Sequence, residues 1–118
     1  MKTLKKTIAV LVAAVLVGCA SFSTNTFRTE QTLTGIAYTA YVGYTNALFN
    51  GTLKISSAQS NEVRTARLKF AASVKTVDLW RSTYETNSAV KPQVQAALDA
   101  LTQNTTNFVD LIHLIEIP

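Results

Sequence analysis

The chain has 118 residues, with eleven Lys and Arg against seven Asp and Glu, for a formal charge of +4. Lys2, Lys5 and Lys6 stand at the extreme N-terminus, so the remainder carries eight cations against seven acids and is close to neutral. The pI of about 9.4 is therefore no signature of nucleic-acid binding. A single cysteine excludes an internal disulfide, and the length allows one domain with a modest core.

The first element is a basic start, Met1–Lys6, followed by an unbroken apolar run from Ile8 to Val17 and then Gly18 and Cys19. A basic n-region, a short apolar h-region and a small residue before a cut are the parts of an export signal. The run is too short to span a bilayer, which takes roughly 17–25 apolar residues. Polar Ser21, Ser23, Thr24 and Asn25 follow at once.

Leu16-Val17-Gly18-Cys19 resembles the lipobox of bacterial lipoprotein precursors: an aliphatic residue, a small or aliphatic one, Gly or Ala, then Cys. The resemblance implies that the Cys19 thiol receives a diacylglyceryl group and that a dedicated signal peptidase recognises Leu16–Cys19 and cuts after Gly18. It implies that the new amine of Cys19 is acylated as well. Two acyl chains anchor stably where one binds reversibly, each buried CH₂ contributing about 0.8 kcal/mol. Ala20 follows the cysteine and no Asp stands there, which in a Gram-negative cell implies the periplasmic face of the outer membrane. The alternative is an ordinary secretory cut, for which Cys19 and Ser21 supply the small residues.

On this reading residues 1–18 are a signal peptide, 19–25 a lipidated tether, and 26–118 a helical domain. The first predicted helix runs from about Thr26 to Phe49, with Leu33, Ile36, Ala37, Ala40, Tyr41, Tyr44, Ala47 and Leu48 at three- and four-residue steps. Asn50-Gly51 supplies a left-handed stop. Ser56 and Gln59 form a capping-box pattern for a second helix, from Ser57 to Tyr84 or Thr86. Its stripe is Val63, Ala66, Phe70, Ser73 or Val74, Val77, Trp80 and Tyr84.

Thr86-Asn87-Ser88 reads as the next turn, and Pro92 suits the first turn of a third helix. Its stripe, Val94, Ala97, Leu98, Leu101, Thr105, Phe108, Leu111, Ile112 and Ile115, keeps step through the polar stretch Thr102–Asn107. A continuous helix is expected there. Three amphipathic helices joined by short turns predict an all-α, antiparallel three-helix bundle. The alternative is a long second helix that pairs with another copy as a coiled coil.

Candidate contact residues are few. Tyr38, Tyr41 and Tyr44 lie three apart and are read either as an aromatic surface for an envelope protein or as core-edge tyrosines with wet hydroxyls. A three-residue step winds around a helix, so at least one should be exposed. Trp80 and Tyr84 beside Arg81 read as core packing or as a cation–π cluster. Arg64, Arg67, Lys69 and Lys75 give the second helix a basic side that either faces water or touches anionic headgroups. His113 is the sole histidine and suits a helix C-terminus.

The sequence contains no Gly-rich phosphate loop, HExxH, GxSxG or paired-carboxylate motif, so neither an enzyme nor a metal or other cofactor is expected beyond the lipid on Cys19. Function by protein contact in the cell envelope is expected, with self-assembly as a homo-oligomer the alternative. The overall plan also resembles the small helical lipoproteins of tailed phages and prophages, which implies receptor masking, exclusion or a part in lysis.

Overall fold

A computed structural model describes residues 22–116. The signal segment and Leu16–Cys19 lie outside the described residues. Three helices fill nearly all of the described chain: α1 over Phe22–Phe49, α2 over Ser57–Thr86 and α3 over Lys91–Glu116, with a single 3₁₀ turn at Ser88–Val90. They form the expected three-helix bundle, 49 × 24 × 18 Å. The start of α1 meets the end of α2, where the Phe22 and Tyr84 rings lie 4.9 Å apart. The end of α1 meets the start of α2, where Tyr44 and Val63 share a core cluster with Ile112 of α3. Neighbours in sequence are thus antiparallel.

The connections are built as their residues dictate. At the end of α1, Gly51 adopts φ of 74°, a conformation open to glycine at little cost. Its N–H donates to the Leu48 carbonyl at 3.2 Å, and the Thr52 N–H donates to Ala47 at 3.0 Å. These are the two bonds of a Schellman stop. At the start of α2, the Gln59 N–H donates to Ser56 Oγ at 3.1 Å and the Ser56 N–H donates back to Gln59 Oε1 at 2.9 Å. The box expected from the sequence is closed in both directions. Asn87 ends α2 and its Oδ1 accepts from the Ala89 N–H at 3.1 Å, turning the chain into α3.

α1 departs from expectation at its start. It includes Phe22, four residues before Thr26, so Phe22–Asn25 is helix and not tether. Ser, Thr and Asn are weak helix formers, and packing overrides them: Phe22 is buried against Tyr84, and the Lys91 Nζ lies 4.8 Å from its ring centroid. The Thr26 hydroxyl, fully buried, donates to the Phe22 carbonyl at 2.8 Å, which removes the cost of burying it.

α3 runs unbroken through Thr102–Asn107. Thr102 donates to the Leu98 carbonyl, Gln103 donates to Asn107, and Asn104 crosses to α2 by donating to Ser73 Oγ. Thr105 and Thr106 of this stretch are buried in the bundle interior, whereas Gln103 and Asn107 are exposed. The core has two layers. Leu33, Val77, Ala97, Leu98 and Leu101 make one; Ala37, Tyr44, Val63, Phe108 and Ile112 make the other, with Phe70 touching both. The Phe70 and Phe108 rings are 6.0 Å apart and nearly parallel.

Candidate interaction face

The three predicted tyrosines do not share a surface. Tyr44 is buried, and burial, with Tyr41 adding to it, pushes its hydroxyl above the ordinary range. Tyr41 is half-buried between Tyr44 and Phe108, each ring 6.1 Å away, and Arg67 of α2 covers it at 5.4 Å. Only Tyr38 of the three is open, 69% exposed. The 100° step per residue explains the split, since three-residue spacing carries each tyrosine 60° further toward the core.

Tyr38 belongs instead to a row set by eleven-residue spacing. Phe27, Tyr38 and Phe49 are the exposed aromatics of α1, at 40, 69 and 93% exposure. Eleven residues make three turns and 20°, so the three rings lie along one side of α1 over about 33 Å.

α2 carries a matching repeat: Arg64-Thr65-Ala66-Arg67-Leu68 and Lys75-Thr76-Val77-Asp78-Leu79, also eleven apart. Arg64 and Lys75 fall on one exposed line, with exposed Ala71 and Ser82, and Leu68 and Leu79 fall on the next. α1 and α2 approach each other least among the three pairs. Arg67 and Arg81 bridge that shallow seam from α2 to α1, each over an aromatic ring. Between the first and last turns the aromatic and basic rows therefore run side by side on one face.

Trp80 and Tyr84 take the first of their two readings, core packing, and Arg81 does not join them in a cluster. Trp80 packs against the core layer of Leu33 and Leu101, and Tyr84 meets Phe22. Arg81 turns to α1, its guanidinium 4.7 Å from the Phe27 centroid, and pairs with Asp78 at 3.3 Å. The basic side of α2 also divides: Lys69 lines the cleft to α3 with Glu62, Asn104 and Asn107, away from Arg64 and Lys75.

Beneath the seam lies a residue that the sequence reading did not single out. Glu30 is buried, and its Oε2 has no hydrogen-bond partner. Burial first, then the hydrogen-bonded, negatively charged Asp78, pushes its carboxyl up to about 8, against the pull of Arg81. Glu30 is therefore protonated at neutral pH and donates to Asp78, which accepts from Arg81 in turn. Its spacing from Leu33 and Ala37 was the available signal: seven residues before Ala37, it falls on the core stripe.

A second depression, about 590 Å³, opens between α1 and α3, lined by Gly35, Thr39 and Gly43 on one side and Val109, His113 and Glu116 on the other. His113 sits half-buried in the last turn of α3. Among the described residues, no group of three or more His, Cys, Asp or Glu could hold a metal ion, and no helix is long and apolar enough to cross a membrane. No family model matches the chain, and no curated protein or solved structure matches it either.

Proposed function

We propose that the chain is the precursor of a small lipoprotein, anchored to the envelope membrane through Cys19, whose helical domain works by contact. The carrying observation is the pairing of Leu16-Val17-Gly18-Cys19, behind its basic and apolar leader, with a domain whose exposed aromatic and basic rows share one face. Aromatic rings held in water on a rigid helix are a surface built to be covered. In this reading the tether shortens to at most Cys19, Ala20 and Ser21, because Phe22 already belongs to α1. Three residues reach at most about 10 Å, which keeps the bundle at the membrane surface.

The experiment is metabolic palmitate labelling of the wild type and of Cys19→Ser, with membrane fractionation. Label on the wild type alone supports the anchor. An unlabelled wild type overturns it.

A further inference from the structure

We infer that the α1–α2 face lies flat on an anionic lipid surface, with Tyr38 and Phe49 entering the headgroup boundary and Arg64, Arg67 and Lys75 pairing with lipid phosphates. The short tether that favours this placement rests on the lipoprotein reading; the face itself does not.

Three observations select this occupant. The first is shape. The rows of α1 and α2 both repeat every eleven residues, so each stays within 20° per step of a straight line along the bundle. The aromatic row runs about 33 Å along α1, and Arg64 and Lys75 stand about 16 Å apart beside it on α2, so the two rows share a flat contact over that shorter length. The second is chemistry. Aromatic side chains flanked by Arg and Lys suit the membrane–water boundary, where rings sit at headgroup level and long cationic chains reach phosphate.

The third is charge. Of the charges on α2, Lys69 and Glu62 line the cleft to α3 and Arg81 is paired with Asp78, which leaves Arg64, Arg67 and Lys75 as the cations beside the seam, with Glu85 in the last turn, whereas α3 holds Lys91 against Asp99, Asp110 and Glu116. The bundle is polar across its width, with its basic side next to the aromatic row. A second copy docked so that the two basic rows meet would set Arg64, Arg67 and Lys75 against like charges. Lying on this face turns α3 away from the lipid, leaving Ala96, Asp99 and Leu114, all exposed, on the outer side.

The test uses the full chain with Cys19→Ser, which removes the sole cysteine and hence any lipid. Single cysteines at Tyr38→Cys or Ala96→Cys then carry an environment-sensitive NBD label. Vesicles of phosphatidylcholine, with or without 30% phosphatidylglycerol, are the probe. The Ile8–Val17 run is present in every variant, so its own lipid affinity cancels from the comparison.

The expected result is a blue shift and intensity gain at position 38 on the anionic vesicles, with position 96 unchanged. Arg64→Glu with Lys75→Glu should weaken the response at 38 by at least twentyfold, since each cation near an anionic surface accounts for roughly fivefold. Helicity by circular dichroism should stay the same. Equal responses at 38 and 96, a response at 38 equally strong without phosphatidylglycerol, or no response at 38 on either vesicle would each overturn the inference. The last result would point to an acidic protein surface, and a shift at 38 without vesicles to a second copy. Because Cys19 is absent throughout, failure here is separate from failure of palmitate labelling.

Discussion

Glu30 makes the bundle lose stability as pH rises from 4.5 to about 8, and replacing it should remove that loss. In the folded chain its carboxyl titrates at about 8; the ordinary value is 4.5. The folded state thus holds the proton more tightly than the unfolded one. Below pH 4.5 both states are protonated and Glu30 contributes its full stability. As pH rises from 4.5 to 8 the unfolded state ionises first, and stability falls by up to about 1.4 kcal/mol per pH unit. By pH 7 the loss reaches up to about 3 kcal/mol.

Glu30→Gln keeps the shape and a donor for Asp78 while abolishing the titration. Urea unfolding of the two proteins, followed by circular dichroism from pH 4 to 8.5, isolates the Glu30–Asp78 pair, because every carboxylate outside it is common to both. The glutamine variant should match the wild type near pH 4 and exceed it by about 2–3 kcal/mol at pH 7, with an unchanged denaturant slope. Parallel pH curves would show that Glu30 is ionised in the fold and refute the reasoning.

Other substitutions probe the helices one feature at a time. Gly35→Ala and Gly43→Ala place a Cβ where, beyond the helix's own backbone and the adjacent residues, nothing lies within 4 Å, and each should stabilise the bundle by about 0.5–1 kcal/mol in thermal or urea melts. Ser56→Ala removes the cap of α2 and should cost about 1 kcal/mol, with a near-equal loss from Gln59→Ala if the two sides of the box act together. Thr105 is fully buried and its hydroxyl has no partner; Thr105→Val should therefore stabilise by roughly 1 kcal/mol, and a loss would reveal a hydrogen bond to that oxygen.

The elements that the sequence announced most clearly are those governed by local chemistry. The Ser56–Gln59 box, the left-handed Gly51 and the stripe from Val63 to Tyr84 each depend on residues within a turn or two of one another, and each stands where expected. What escaped depended on distant partners. Phe22–Asn25 reads as linker until Tyr84 and Lys91 are brought beside Phe22. The spacing of Glu30 places it on the core stripe, but its raised pKa depends on burial and on Asp78, which α2 delivers. Arg81 stands one residue from Trp80 and three from Tyr84, yet its ring partner is Phe27, because side chains one apart on a helix point 100° away from each other.

The exposed face was legible in principle. Phe27, Tyr38 and Phe49, like Arg64 with Lys75 and Leu68 with Leu79, recur at eleven residues. A search for steps of three and four follows the buried stripe and passes over residues on the far side of the same helix. Tyr38 drew notice through its spacing from Tyr41 and Tyr44, which proved to be the wrong set of neighbours.

The most direct measurement is the intact mass of the protein purified from membranes of the producing cell. The lipoprotein reading predicts a chain that starts at Cys19, heavier than residues 19–118 by a diacylglyceryl group and, where the amine is modified, a further acyl chain. A mass equal to the unmodified full chain, or to a chain cut after Ser21 with no lipid, would contradict it.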